Sequence, residues 1–221
     1  MNTTLFEQTD SYISELLASE DEALHLALES IERAGMPQHS ITANQGKFLQ
    51  VLMRSIGAKT VLELGTLAGY STIWLARALP PEGKVTTIEA EPERAIVASE
   101  NIDNAGLSEK VDLLMGKALD VLPHLVAENE KPFDFIFVDA DKQNSVEYFY
   151  YALRLSRKGT VIVFDNVLRQ GEVFDENSTD ERVIGVQNLN KLLGESKAVT
   201  ATILPMVGTK EFDGMAIAVV N

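Results

Sequence analysis

The apolar positions of this chain change period along its length, and each change marks a new kind of element. Between residues 5 and 34, Ile13, Leu16, Leu17, Leu24, Leu26, Leu28 and Ile31 recur at helical spacing among acids until Gly35 and Pro37 end the run, which predicts one or two helices. A further helical run at 44–55, with Phe48, Leu49, Val51 and Leu52, stops at Gly57. Short apolar runs then follow at 60–64, 85–89, 111–115, 133–139 and 160–165, each reading as a buried strand. Helical patterns at 71–79, 93–105, 118–127 and 145–156 separate them. Such alternation predicts a parallel sheet wound by right-handed crossovers with helices on both faces. The last third breaks the pattern, with a polar loop at 170–179, a helix at 181–193 and strands at 199–205 and 214–220. A short connection, containing Gly208 and Asp213-Gly214 as its turn, makes those two strands antiparallel neighbours. The expected fold is therefore α/β, Rossmann-like and doubly wound, with seven strands, mostly parallel, and a C-terminal antiparallel hairpin. No compositional break divides the chain, so 1–221 is expected to form one domain, with residues up to about 40 as a cap, dimer or substrate element.

Composition narrows the chemistry. Among 221 residues, 33 are acidic and 19 basic, a formal net charge of −14, and cysteine is absent. Disulfides, thiolate nucleophiles, zinc ribbons and iron–sulfur clusters are excluded, leaving oxygen and imidazole as metal ligands. So acidic a chain is not expected to bind nucleic acid, which demands clustered lysine and arginine. No apolar run approaches the length of a membrane span, and the first ten residues are polar, so no membrane partner is expected and the location is expected to be cytoplasmic.

The first strand runs into Glu63-Leu64-Gly65-Thr66-Leu67-Ala68-Gly69-Tyr70-Ser71. In doubly wound folds, ligands lie outside the carboxyl ends of the strands, where a glycine turn admits a ligand to the backbone. The Gly-x-x-x-Gly spacing misses the dinucleotide fingerprint, and Glu63 would repel a pyrophosphate, so a cationic or zwitterionic ligand fits better. Glu89, 20 residues past Gly69 at the next strand end, is suited to both hydroxyls of a ribose. Taken singly, the loop is also a plain strand-to-helix turn and Glu89 a solvated strand end; in combination they favour a nucleoside without phosphates.

Two further strands end in acids, Asp139 and Asp165-Asn166. These supply three hard oxygen ligands for magnesium, manganese or calcium; the plainer alternative is that each acid caps the next helix. Lys142 can turn toward the same place as a base, or be a surface lysine. His25, His39 and His124 show no ligand spacing, and Trp74 and the row Tyr148 to Tyr151 read first as packing.

Glu63-Leu64-Gly65, Gly69-Tyr70-Ser71, Glu89, Gly116-Lys117-Ala118-Leu119, Asp139-Ala140-Asp141-Lys142 and Asp165-Asn166, in that order, resemble the cation-dependent O-methyltransferases of the caffeoyl-CoA and catechol type, most of all their small bacterial members. The resemblance runs from about Ile41 to Asp213-Gly214. It implies S-adenosylmethionine over the first strands, with Glu63, Gly65, Thr66, Gly69 and Ser71 around its amino-acid part and Glu89 on the ribose. It also places Ile41 and Ala118 near the cofactor, Asp141 near the sulfonium, and Asp139 in both the cofactor and catalytic sets. Asp139, Asp165 and Asn166 would hold the cation, Lys142 would be the base, and the enzyme would be a homodimer acting on a small vicinal dihydroxy aromatic acceptor.

Two departures concern the acceptor. Where the plant enzymes carry Trp-Asn, this chain has Arg169-Gln170, and where they carry a tyrosine it has Ser145. Arg169 and Gln170 are thus candidate substrate residues; Arg169 either clamps a carboxylate or phosphate of the acceptor or pairs with an acid at 172–180. Three alternatives stand beside the catechol reading: methylation of a non-catechol small molecule, a nicotinamide-dependent oxidoreductase, and a protein that holds S-adenosylmethionine without turnover.

Overall fold

Residues 3–128, 131–208 and 211–221 are described by a computed structural model, in which the chain forms two units, Met1–Ala118 and Leu119–Asn221. The first unit opens with helices α1 (Thr3–Leu17), α2 (Glu22–Arg33) and α3 (Ala43–Ser55). Local chemistry sets their starts: the Asp21 carboxylate accepts the Leu24 N–H, and Thr42 and Gln45 form a reciprocal capping box. Strands β1 (Thr60–Leu64), β2 (Lys84–Glu89) and β3 (Val111–Met115) follow, connected through α4 (Tyr70–Ala78) and α5 (Pro92–Asn104). They are parallel in the order β3-β2-β1, with Glu63 opposite Thr87 and Glu89 opposite Met115. That register places the acids Glu63 and Glu89 at the carboxyl edge of neighbouring strands.

Asn101 of α5 is buried and donates to the Ala68 carbonyl and the Ser30 hydroxyl, tying the loop after β1 to α5 and α2. Trp74 packs as expected. A Cβ at Gly46 of α3 would come within 2.6 Å of its ring, so glycine is what lets α3 lie against α4 there.

The second unit contains α6 (Ala118–Glu128), which starts at the junction, β4 (Phe133–Val138), α7 (Ser145–Arg154), β5 (Ser156–Phe164), α8 (Glu181–Glu195), β6 (Val199–Gly208) and β7 (Glu211–Val220). Its strands run in the order β4-β5-β7-β6, the first pair parallel and the others antiparallel. Phe135, Phe137, Tyr148, Phe149 and Phe164 are fully buried and form its core, while Tyr150 is exposed. The aromatic row on α7 is therefore mostly packing.

Three expectations change. The polar stretch 170–179 begins as a pair of tight turns, Arg169–Phe174, kinked at Gln170 and Gly171, and β5 starts at Ser156 rather than at residue 160. Asp213-Gly214 is not the hairpin turn: both residues lie inside β7, paired with Met206 and Pro205, and residues 209–210 between the strands lie outside the described residues. Gly214 is there for closeness, because a Cβ would fall 2.8 Å from the Leu168 side chain and 3.1 Å from the Leu204 carbonyl oxygen.

A second glycine positions chemistry. Gly185 of α8 lies against the short 3-10 turn Lys142–Asn144, and a Cβ there would sit 2.7 Å from the Gln143 Cα and closer still to the Lys142 carbonyl oxygen. Gly185→Ala is expected to lower unfolding free energy by about 1–3 kcal/mol through overpacking against backbone, read by urea denaturation.

Candidate active site

In the first unit the site is built around a carboxylate with no water contact. Glu63 is 0% exposed and accepts from the hydroxyls of Ser71 (2.5 Å), Thr72 (2.5 Å) and Thr87 (2.7 Å). Thr87 also bonds Thr66 through their hydroxyls at 2.6 Å, so β1, β2 and the start of α4 share one polar network. The chain leaves β1 through Gly65 (φ 95°), turns at Leu67 (φ 51°) and enters α4 after Gly69 (φ 82°). A Cβ at Gly69 would press on the Ala98 carbonyl at 3.3 Å, so both conformation and contact call for glycine.

Glu89 governs this turn. One of its oxygens accepts the Thr66 and Leu67 N–H groups at 3.2 and 2.8 Å, and the other accepts the Glu91 N–H at 3.0 Å. A carboxylate has about four acceptor positions, so two fix the loop after β1, one the turn after β2, and capacity for one ligand hydroxyl remains. Ala118 and Ile41 are buried, the first two residues past Gly116, whose N–H donates to the Glu89 carbonyl.

In the second unit, Asp139 follows β4 and its carboxylate pairs with the Lys142 ammonium at 2.7 Å. Asp165 follows β5, is 4% exposed, and accepts the Asn166 N–H at 2.8 Å. Its carboxyl is pushed up to about 7, first by burial and then by the Asp139 and Asp213 charges, against the Lys142 ammonium and the Asn166 N–H. Neither acid caps a helix, so the plainer alternative fails for both. Asp141 accepts from Asn144 and from the Tyr148 hydroxyl, whose pKa is raised by burial and by that carboxylate.

After Asp165 the backbone takes left-handed conformations at Asn166 (φ 56°), Arg169 (φ 48°), Gln170 (φ 55°) and Gly171 (φ 94°). The Asp213 carboxylate holds this segment, accepting the N–H groups of Leu168 (2.9 Å), Arg169 (3.0 Å) and Gly214 (2.8 Å). Arg169 does not pair with an acid of the following loop: Asp180 is bound by Arg182, and the Arg169 Nε is buried without a partner.

Each unit therefore gathers its own expected residues: Glu63, Thr66, Ser71 and Glu89 in one, Asp139, Lys142, Asp165 and Asn166 in the other. Sequence reading missed Thr72, Thr87 and Asn101, ordinary polar residues within a strand or helix, and Asp213, hidden by its resemblance to a turn signal. The donor set Asp139, Asp165 and Asn166 fits a hard divalent ion in chemistry, being two carboxylates and an amide oxygen with one acid buried beside another. Among the described residues, no group of three or more histidine, aspartate or glutamate side chains suits a metal, so the amide is needed to complete the set.

This arrangement, a sheet edge with acidic strand ends and a phosphate-averse glycine turn, is that of the Rossmann-like methyltransferases. The O-methyltransferase family matches residues 14–219, and the chain belongs to that family. It is 58% identical over 221 residues to a catechol O-methyltransferase of Niastella koreensis, covering 100% of both chains. Among solved structures it resembles an O-methyltransferase from Bacillus cereus in complex with SAH (TM-score 0.96, 46% identity, 99% of this chain and 100% of that one). It also resembles the O-methyltransferase TomG from Streptomyces achromogenes, involved in tomaymycin synthesis, in complex with SAM (TM-score 0.97, 43% identity, 100% and 99%). Family membership removes the oxidoreductase alternative.

The raised Asp165 carboxyl carries a stability cost with a definite pH window. The unfolded chain releases this proton near 3.8 and the folded protein at about 7, so this group's contribution to stability is full below the first value and lost as pH rises through the second. In chelator, Asp165→Asn is expected to be more stable than the native protein at pH 8, with the difference shrinking toward pH 5; urea denaturation at both values reads it.

Proposed function

We propose that the protein is a divalent-cation-dependent O-methyltransferase that moves the methyl group of S-adenosylmethionine to one hydroxyl of a small vicinal dihydroxy aromatic acceptor, with 1–221 acting as one catalytic domain. The observation that carries this reading is the buried Asp165 beside Asp139 and Asn166, a donor set that a hard cation stabilises. The catechol O-methyltransferase named above supports the acceptor class, and the complexes with SAM and SAH support the methyl donor.

When bound, S-adenosylmethionine supplies the electrophilic methyl, and the cation, magnesium with manganese or calcium as alternatives, supplies Lewis acidity at neighbouring acceptor hydroxyls. Glu63 offers negative charge to the ammonium of the donor's amino-acid part, with Gly65, Thr66, Gly69 and Ser71 around it. Glu89 would accept one ribose hydroxyl while its backbone bonds hold the turn, and Ile41 and Ala118 would flank the nucleoside. Asp139, Asp165 and Asn166 hold the cation. With its own proton first released to solvent, the neutral amine of Lys142 would take the hydroxyl proton at Nζ, and Asp139, 2.7 Å from that nitrogen, orients it. Arg169 and Gln170 contribute to acceptor recognition.

The enzyme works in the cytoplasm, a location that suits a chain free of cysteine. It assembles as a homodimer, a reading supported by the exposed apolar row Leu5, Tyr12, Ile13, Leu16 and Leu17 on α1. No described helix is long and apolar enough to cross a membrane.

Transfer of labelled methyl to a catechol panel is expected with magnesium, and to fall by about two orders of magnitude or more with excess chelator or in Asp165→Ala. Titration calorimetry should show magnesium binding by the native protein and none by the variant; activity undiminished by thorough chelation would overturn the cation requirement. Light scattering should return a mass near twice the 24.3 kDa of one chain.

A further inference from the structure

Arg169 carries a charge that the fold has not neutralised. Its Nε is buried and lacks a hydrogen-bond partner, and among the described residues its guanidinium enters no ion pair. The acid that feels it electrostatically, Asp180, is engaged by Arg182 through Nε at 3.0 and 3.2 Å and through Nη2 at 2.5 Å. A buried donor of a charged group left unmet is costly, and native structures rarely keep one without a use.

The backbone under this side chain is held where an L residue rarely rests. Arg169 and Gln170 are both left-handed, as is Asn166 three residues earlier. Such conformations are strained and persist only when the surroundings over-determine them. Here they do. Asp213 fixes the Leu168 and Arg169 amides, the Asn190 Nδ2 donates to the Val167 carbonyl at 2.8 Å, and the Gln187 Nε2 donates to the Val173 and Asp175 carbonyls at 3.0 and 2.8 Å. The segment that presents the unpaired guanidinium is thus staked to α8 and β7, directly after the proposed cation ligands.

We propose that Arg169 is an anion clamp for the acceptor, so that the protein preferentially methylates dihydroxy aromatic acids whose carboxylate pairs with this guanidinium. The inference rests on the proposed function and narrows its acceptor class. A planar guanidinium meets a carboxylate through two parallel N–H···O bonds. A chain of net charge −14 repels anionic acceptors at long range, so holding one requires a local, preorganised cation. A carboxylate is favoured over a phosphate because its two oxygens lie in one plane, as the guanidinium fork does, and a single arginine leaves a dianion half compensated.

The test compares 3,4- and 2,3-dihydroxybenzoate with the matching dihydroxybenzamides, isosteres that differ in charge, using the native enzyme, Arg169→Met and Arg169→Lys. For at least one pair, the native acid-to-amide ratio of kcat/KM should exceed unity and fall by about ten- to a hundredfold in Arg169→Met, with Arg169→Lys between them. An unchanged ratio in Arg169→Met, or a native preference for both amides, overturns the clamp. Calorimetry of the same acids and amides on the native and Met proteins loaded with magnesium and SAH reads the preference without turnover. If no acceptor is methylated, the proposed function fails; the clamp then stands if the native protein binds an acid more tightly than its amide and the variant does not, and falls if the two proteins show the same preference.

Discussion

Glu63 has no exposed surface, yet it sits at the end of a strand as a carboxylate, so its polar atoms have to be met from within the protein. The requirement organises the first unit. Ser71 and Thr72 come from the first turn of α4 and Thr87 from β2, so satisfying one side chain fixes the position of a helix and the register of a strand pair. Glu89 extends the constraint by binding the amides of the loop in between. A cradle already organised by its own hydrogen bonds has little left to order when a zwitterionic ligand arrives, which is the physical content of preorganisation.

The second unit answers the same problem incompletely. Lys142 compensates Asp139, but the buried Asp165 accepts from the neighbouring Asn166 N–H and faces the charges of Asp139 and Asp213. An arrangement of this kind costs stability in the free protein, and under the proposed function a bound cation would relieve it. The two units thus differ in kind: the carboxylate at the centre of one is satisfied by its neighbours, and that of the other is held against like charge.

Asp213 links the hairpin to this chemistry. Its position in β7 is set by pairing with β6, and its carboxylate reaches back to the amides after Asn166. Gly214 lets that strand come close enough to Leu168 for the bonds to form. The antiparallel hairpin therefore holds the segment 166–171, with its four left-handed residues, in place as well as extending the sheet.

By itself the sequence determined the alternation of strands and helices, the seven strands, and the placement of Glu63, Glu89, Asp139 and Asp165 at strand ends, because apolar period and strand length are local properties. It also identified the family, through motifs whose order and spacing are specific. Only tertiary structure decided what those acids bind. Thr72 and Thr87 become partners of Glu63 through the packing of α4 and the pairing of β1 with β2. The Asp213-Gly214 pair read as a turn because a turn and a close backbone approach both call for glycine; which of the two applies depends on a neighbour 45 residues away in sequence. Arg169 was equally open to a loop acid or a ligand until Arg182 was seen to occupy Asp180. Long-range pairing is decided by which partners the fold brings together, and no local pattern records that.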